Sequence, residues 1–196
     1  DHVVRGSTMY PAAALLDAAF AASQEVAESE QISLQRVQLL NASTLEADRP
    51  QWIQATYLGD RRLLAFAFRS AEAAQWRPLA RTGVSQQVAD RPSMEQARIE
   101  LSAAKARCGD SVSQESVYEH CVETGLNYGP EFKGVQRGVR TDCEAVVEVS
   151  LAAAKGVDLR GHIFHPALLD SCFHSMLVAD PSFGKGSDGL YLPLEI

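Results

Sequence analysis

The chain has 196 residues, 46% of them hydrophobic and 22% charged, with a formal net charge of −7. That length and hydrophobic content allow one large or two small domains with buried cores and exclude a disordered tail. The acidic balance, without clustered Lys and Arg, argues against nucleic-acid binding. The apolar runs fall far short of the ~20 residues that cross a bilayer. We therefore expect a cytoplasmic protein that binds neither nucleic acid nor membrane.

In the first half, Pro11 precedes a segment of helix formers, residues 12–27, that is apolar almost all the way round. This pattern predicts a buried helix. Three β-like runs follow at residues 32–40, 51–58 and 62–69, and the last two form a hairpin across Gly59–Asp60. A helix wrapped by an antiparallel sheet accounts for both features.

The second half repeats these parts in another order. Residues 113–123 predict a short helix, residues 133–140 and 144–151 a strand pair, and Pro166 opens a second apolar helix that runs to residue 179. Between the halves, clean periodicity is lost. We predict an α+β chain with a first unit over residues 1–86, a linker over 87–112 and a second unit over 113–196.

Four cysteines are spread along the chain without a CxxC pair or a Cys/His spacing that would present four ligands to zinc. Reduced cytosolic thiols are the simpler interpretation. We therefore predict no metal site. These cysteines are Cys108, Cys121, Cys143 and Cys172.

His2 lies in the run HVVRGSTMYP, upstream of Gly6 and Pro11. A histidine beside a glycine turn and a helix start lies near free backbone N–H groups, which can hold a developing oxyanion. Because imidazole titrates near neutrality, it can accept a proton from carbon. A packed or surface histidine remains the alternative at this point.

Asp170 lies within HPALLDSCFH, on the predicted second helix. A carboxylate is costly to bury, so apolar surroundings favour the protonated acid, which can donate a proton. His174 follows at i+4 on the same helix face and could orient Asp170. The alternative is an aspartate that faces solvent at the helix end.

A third cluster, YGPEFKG, contains Tyr128, Gly129, Pro130 and Gly134. Alone, it is typical of a turn that leads into a strand, with core aromatics.

Together, HVVRGSTMYP, YGPEFKG, HPALLDSCFH and the final YLPLEI resemble, in order and spacing, the dehydratase domains of modular polyketide synthases. The resemblance implies a double hotdog, with two long helices each wrapped by a curved antiparallel sheet. It implies that His2 removes the α-proton of a 3-hydroxyacyl thioester and that Asp170 protonates the departing hydroxyl. Backbone amides near Gly6 and the first helix would bind the thioester carbonyl, while Tyr128 and His174 would shape the site.

The resemblance also implies partners and a carrier. The substrate would be held on the phosphopantetheine of an acyl carrier protein, and the domain itself would bind no cofactor. Neighbouring ketoreductase, ketosynthase and acyltransferase domains would be partners, and a homodimer is possible. The chain starts one residue before His2 and stops at Ile196, so we expect an excerpt of a larger domain.

Three alternatives stay open. The same fold could serve a product-template-like cyclase, a double-bond isomerase or an ether-ring-forming domain. The domain could instead be non-catalytic and serve dimerisation or docking in a synthase. A hotdog thioesterase would need a carboxylate on the first helix, where Asp17 is the candidate; its surroundings indicate plain helix packing.

Overall fold

The computed structural model describes residues 2–29, 31–87, 92–151, 160–186 and Glu195. In chain order the strands are β1 His2–Val4, β2 Ser7–Thr8, β3 Ser33–Leu39, β4 Gln51–Leu58, β5 Leu63–Ser70, β6 Arg77–Ser85, β7 Asp110–Ser113, β8 Leu126–Tyr128, β9 Val135–Arg140 and β10 Ala145–Val149. The helices are α1 Ala12–Ala27, α2 Met94–Arg107, α3 Gln114–Glu123 and α4 Pro166–Ala179, with a 3-10 turn at Pro130–Phe132.

The chain folds into two compact units. The amino-terminal unit comprises the described residues within Ser7–Ala89, Gly161–Ile163 and Tyr191–Ile196. The carboxyl-terminal unit comprises those within Asp1–Gly6, Asp90–Arg160 and Phe164–Leu190. In this grouping strand β1 with His2 belongs to the carboxyl-terminal unit, where it pairs with β8, while residues 161–163 and Glu195 belong to the amino-terminal unit.

The amino-terminal unit combines helix α1 with an antiparallel sheet of strand order β3-β6-β5-β4. The predicted helix bounds are confirmed: Pro11 supplies the first carbonyl acceptor, and the helix ends at Ala27, followed by the C-cap Glu28 in the left-handed conformation with φ 50°. Only part of α1 is buried, since Val26 is 42% exposed. Its buried face joins the sheet in one core of Leu15, Ala19, Leu64, Phe66, Leu79, Ala80 and Val84.

The predicted hairpin is also confirmed, with β4 and β5 paired from Gln51↔Ser70 to Leu58↔Leu63. Central strand β6 was not predicted, because Pro78 and Gly83 are both unfavourable inside strands. The sheet accommodates Pro78 at a register shift between Phe66 and Ala67 of β5. Proline cannot donate a hydrogen bond to a ladder, and an irregularity of this kind makes it tolerable.

The carboxyl-terminal unit contains an antiparallel sheet of order β10-β9-β7, with helix α4 packed against β9 and β10. The predicted strand pair and both predicted helices are confirmed, with β9 and β10 a few residues shorter than expected. Helix α3 starts with a capping box, in which the Ser113 hydroxyl accepts from the Ser116 backbone N–H at 3.2 Å.

Residues 87–112, predicted as a linker, contain helix α2 and most of strand β7. The Ser93 hydroxyl caps α2 by accepting the Gln96 N–H at 3.1 Å. No residue of α2 is buried. A helix without a buried face has no apolar periodicity, which is why the sequence pattern gave no sign of it.

Candidate active site

Strand pairing brings the first and third sequence clusters together. Strand β1 runs antiparallel to β8, with His2 opposite Tyr128, Val3 opposite Asn127 and Val4 opposite Leu126. Side chains of directly opposed residues project to the same face of a strand pair. The His2 and Tyr128 rings accordingly meet edge to face, with centroids 5.4 Å apart.

Helix α4 supplies the second pair of side chains. Asp170 and His174 are one helical turn apart, and the Asp170 Oδ2 atom lies 3.2 Å from His174 Nε2. Both residues are buried, at 6% and 2% exposure. A buried carboxylate is tolerable only where polar partners replace water, and His174 is one such partner.

The two acid–base candidates face each other within the carboxyl-terminal unit. His2 Nε2 lies 3.9 Å from Asp170 Oδ1, and the two side chains are 14% and 9% exposed. The two oxygens of Asp170 therefore have different neighbours, with Oδ1 toward His2 and Oδ2 toward His174. An imidazole and a carboxyl group at this separation could act on adjacent atoms of one bound molecule.

Aromatic rings surround the imidazole of His2. Phe132 lies with its ring centroid 5.7 Å from that of His2, and Tyr128 stacks at a tilt on His174 with centroids 4.3 Å apart. Burial, together with the nearby charge of Asp170, raises the pKa of Tyr128, so its hydroxyl stays protonated at neutral pH. These rings keep the local dielectric low, which strengthens electrostatic interactions among His2, Asp170 and His174.

The 3-10 turn Pro130–Phe132 places Phe132. Gly129 is its N-cap, and its carbonyl accepts the Phe132 N–H at 3.0 Å, while Pro130 occupies the first position of the turn. The predicted residues Gly129 and Pro130 thus shape the backbone beside the site.

Gly134 closes the same motif and allows strand and helix to approach closely. Its N–H donates to the Ser171 hydroxyl of α4 at 3.1 Å, and its carbonyl accepts the Ser150 N–H at 2.9 Å. A Cβ at this position would lie 2.5 Å from Ser171 Oγ and 2.8 Å from the Ser150 carbonyl oxygen. Only glycine leaves room for this approach. The helix residue that it contacts, Ser171, directly follows Asp170.

Of the remaining predicted residues, Gly6 follows β1 in a turn with φ 80°, a conformation that favours glycine. The Arg5 N–H just before it donates to the Gly125 carbonyl at 2.7 Å. Pro11 is the N-cap of α1 in the amino-terminal unit. The YLPLEI motif lies outside the described residues, except for Glu195.

Tyr118 of helix α3 was missed at the sequence level. Its hydroxyl lies 3.3 Å from His174 Nδ1 and accepts the Val135 N–H at 3.0 Å. Burial raises the pKa of Tyr118 to about 12. Nothing in the sequence marked this residue, because its helix was predicted without knowledge of which face meets α4.

Asp17 of α1 is also in an unexpected environment. Its Oδ2 lies 2.6 Å from His162 Nδ1, and its Oδ1 accepts the Ile163 N–H at 2.9 Å. Asp17 therefore holds residues 162 and 163 against α1, which is a more specific role than the plain helix packing predicted for it. In the described part of the chain, groups of three or more His, Cys, Asp or Glu side chains able to hold a metal ion are absent.

Two family models match the chain. One, described as polyketide synthase dehydratase N-terminal domain, matches residues 96–196. The other, described as polyketide synthase dehydratase domain, matches residues 1–71. The chain belongs to the polyketide synthase dehydratase family. The expected resemblance is thereby confirmed.

Curated relatives of this dehydratase-family chain are much longer proteins. It is 29% identical over 194 residues to erythronolide synthase EryA2 of Saccharopolyspora erythraea, covering 94% of this chain and 5% of the relative. It is 34% identical over 76 residues to mycoketide-CoA synthase of Mycobacterium tuberculosis, covering 39% of this chain and 2% of the relative. The dehydratase-family chain thus spans a small fraction of each.

Solved dehydratase structures share its fold. The CurK dehydratase matches with a TM-score of 0.81 at 20% identity, over 100% of this chain and 69% of that one. The dehydratase domain of a mycocerosic acid synthase-like polyketide synthase matches with a TM-score of 0.78 at 24% identity, over 100% and 67%. The expected double hotdog, an α+β fold, is confirmed. Among its described residues, the dehydratase-family chain contains no helix with the length and apolarity to cross a membrane.

Proposed function

We propose that this domain removes water from a 3-hydroxyacyl thioester to give an α,β-enoyl thioester during polyketide chain extension, with His2 as the base and Asp170 as the acid. The observation that carries the proposal is the pair itself, with His2 Nε2 3.9 Å from Asp170 Oδ1. The α-proton and the β-hydroxyl of the substrate are on adjacent carbons. The groups that serve them must therefore lie a few ångströms apart, as these do.

The proposed reaction balances between these two side chains. His2 Nε2 takes the α-proton, the electron pair of that C–H bond forms the new double bond, and the β-carbon–oxygen bond breaks. Asp170 gives its proton to the departing hydroxyl, which leaves as water. The products are imidazolium at His2 and carboxylate at Asp170, and return of the proton from one to the other restores the starting state. An acid is needed because hydroxide is a poor leaving group.

The α-proton next to a thioester is only weakly acidic, so the carbonyl oxygen must be stabilised as charge develops on it. We assign this role to backbone N–H groups near Gly6, which follows the strand that carries His2. Tyr128 would confine the substrate beside the imidazole, since its ring is opposite His2 and its hydroxyl remains protonated.

Names of related structures support the two roles. An Asp-to-Asn variant and a His-to-Phe variant of the CurK dehydratase are each described as an inactive mutant. Loss of activity on replacing one aspartate or one histidine is the behaviour expected of an acid–base pair.

The relatives' names also support a setting within a polyketide synthase. We propose that the substrate is delivered on the phosphopantetheine of an acyl carrier protein and that ketoreductase, ketosynthase and acyltransferase domains are neighbours. A cytoplasmic location and a homodimer belong to the same proposal. The domain would bind no cofactor, because general acid–base chemistry suffices.

The reaction is tested by incubating the protein with a 3-hydroxyacyl thioester surrogate of an acyl carrier protein substrate. Dehydration predicts the loss of the mass of one water molecule and the appearance of conjugated enoyl absorbance. An unchanged mass with a shifted double bond or a new ring would instead identify an isomerase or cyclase. Mass loss without enoyl absorbance would also contradict simple dehydration.

The roles of the two residues are tested with His2→Phe, which keeps an aromatic ring against Tyr128, and Asp170→Asn, which keeps the shape of the carboxyl group. Each should lower kcat by about 10²–10⁴, the usual contribution of a positioned acid or base. Asp142→Asn is the matched control, because the Asp142 side chain is 74% exposed. If the complete synthase formed the same product after His2→Phe, the domain would be a docking or structural element.

A further inference from the structure

Tyr118 occupies the centre of a buried hydrogen-bond network that leads to Asp170. Its hydroxyl oxygen accepts the Val135 N–H at 3.0 Å. The same oxygen lies 3.3 Å from two possible acceptors, His174 Nδ1 and the Phe132 carbonyl oxygen. A tyrosine hydroxyl has one proton, so it can donate to only one of these acceptors at a time.

The Phe132 carbonyl has a second potential donor. The Ser171 hydroxyl lies 3.3 Å from that carbonyl and 2.7 Å from the Ala167 carbonyl one turn earlier on α4. The serine hydroxyl also has a single proton, and the Ala167 carbonyl is its nearer acceptor, so the Phe132 carbonyl competes with His174 Nδ1 for the Tyr118 proton. Which of the two acceptors receives it depends on the tautomer of His174, because Nδ1 accepts a hydrogen bond only when the ring proton is on Nε2.

The other ring nitrogen of His174 faces an acceptor. His174 Nε2 lies 3.2 Å from Asp170 Oδ2. A neutral imidazole has one N–H donor and one acceptor nitrogen. If Nε2 carries the proton, it donates to Oδ2, and Nδ1 accepts the Tyr118 O–H. The opposite tautomer would direct the lone pair of Nε2 at Oδ2, which is repulsive unless that oxygen is itself protonated.

We propose that Tyr118 is a positioning residue that holds His174 in the Nε2–H tautomer, so that the acid proton of Asp170 resides on Oδ1, the oxygen that faces His2. This inference deepens the proposed function and rests on the role assigned there to Asp170. In the elimination, Oδ1 gives its proton to the leaving hydroxyl, while His174 donates to Oδ2 before and after the transfer and does not change its protonation.

The buried position of Tyr118 keeps its hydroxyl protonated, so that it can always donate a hydrogen bond. Burial raises the pKa of its phenol to about 12, so the hydroxyl keeps its proton across the neutral range. Within the described part of the chain, Asp170, Tyr128, Cys121 and Lys133 are titratable side chains near this hydroxyl or the His174 ring, and His2 lies 3.9 Å from Asp170. Of these, Lys133 lies over the Tyr118 ring at 5.6 Å, and burial raises the pKa of Cys121 to about 12.

Without the Tyr118 hydroxyl, Nδ1 of His174 becomes free to bind a proton. An imidazolium with Nε2–H toward Oδ2 would favour the carboxylate form of Asp170 by opposite-charge attraction. Tyr118→Phe is therefore expected to move the basic limb of the pH–kcat profile to lower pH.

The first test reads the tautomer directly. The protein is labelled with ¹⁵N-histidine, and the His174 signals are identified by their loss in His174→Gln. The proposal predicts a pyrrole-type nitrogen at Nε2 and a pyridine-type nitrogen at Nδ1 near neutral pH. The reverse tautomer, or imidazolium, would overturn it. This measurement needs no Tyr118 variant, so it can overturn the proposal even if Tyr118→Phe fails to fold.

The second test uses a double-mutant cycle of Tyr118→Phe and His174→Gln, with Tyr57→Phe as the matched control outside this unit. Tyr118→Phe should lower kcat about tenfold at neutral pH with little change in KM, the effect of one hydrogen bond of ordinary strength. It should also shift the basic limb. In the His174→Gln background the pH shift should vanish, because glutamine can donate and accept but cannot be protonated.

A shift that persists in the His174→Gln background, or no shift at all, would contradict the proposal. A purely structural role for Tyr118 would change stability and leave the position of the limb unaltered. The proposed function and the role of Tyr118 can fail separately. If His174 has the expected tautomer but the protein does not dehydrate its substrate, the role of Asp170 as the acid is overturned. The reverse tautomer in an active dehydratase would overturn the role of Tyr118 alone.

Discussion

Gly134→Ala tests whether the YGPEFKG motif ends in glycine to let helix α4 approach the sheet. The added Cβ would lie 2.5 Å from Ser171 Oγ, 2.8 Å from Ser171 Cβ and 2.8 Å from the Ser150 carbonyl oxygen. Favourable non-bonded contacts of carbon are about 3.5–4.0 Å, so strand and helix must separate by several tenths of an ångström or more. Two of the three atoms lie on the residue that follows Asp170.

The energetic cost follows from these distances. Overpacking of a tight interior typically costs about 1–3 kcal/mol. Replacing glycine by alanine also stiffens the unfolded chain, which offsets about 0.4–1 kcal/mol. We expect a net loss of about 1–2 kcal/mol in the free energy of unfolding, and a fall in Tm of about 2–8 °C. Because helix α4 carries Asp170, kcat should also decrease.

Urea unfolding and thermal melts measure the stability change, with Gly109→Ala as the control. Gly109 lies in the same unit, and a Cβ there would meet nothing within 4 Å. Its substitution should leave stability and kcat almost unchanged. If Gly134→Ala were as stable and active as Gly109→Ala, the close approach of β9 and α4 would not be the reason for the glycine.

Two further predictions concern the same unit. Burial lowers the pKa of His120, whose Nδ1 accepts the Gly184 N–H at 3.4 Å. The unfolded chain therefore binds this proton at higher pH than the folded chain, so the free energy of unfolding should fall as pH decreases below about 6.5. In His120→Gln, the dependence of the unfolding free energy on pH should be weaker. Equal pH dependence of the two proteins, measured by urea unfolding, would contradict this. Arg140 donates to the carbonyls of Val178 at 2.7 Å and Asp180 at 2.9 Å, at the end of α4. Arg140→Gln should lower the unfolding free energy by about 1–3 kcal/mol. The control Arg137→Gln, which breaks an exposed ion pair with Glu148, should cost less than about 1 kcal/mol. Equal losses in the two variants would refute the role of Arg140 in capping the end of α4.

Local patterns predicted the helices that bury an apolar face. Helices α1 and α4 have the bounds expected from their leading prolines and apolar runs. Helix α2 was missed because it buries nothing, and β6 because Pro78 and Gly83 weaken its strand pattern. Pairing across the chain was also beyond local patterns: β1 meets β8 from more than half the chain away, which sets His2 beside Tyr128.

At the candidate site, four predicted side chains come together: His2, Tyr128, Asp170 and His174. These four residues could be predicted because each lies in one of the short motifs that resemble those of dehydratase domains. Tyr118 could not be found in this way, because its importance depends on a tertiary contact between α3 and α4. The same holds for the pairing of Asp17 with His162.

In the proposed reaction, His2 and Asp170 expel the β-hydroxyl of a 3-hydroxyacyl thioester as water. Mass spectrometry of a substrate with heavy oxygen in that hydroxyl shows whether this oxygen leaves as water. The unsubstituted protein should yield an enoyl thioester without the label and release labelled water, whereas His2→Phe and Asp170→Asn should do neither. Retention of the label in a converted product, or undiminished release by either variant, would contradict it.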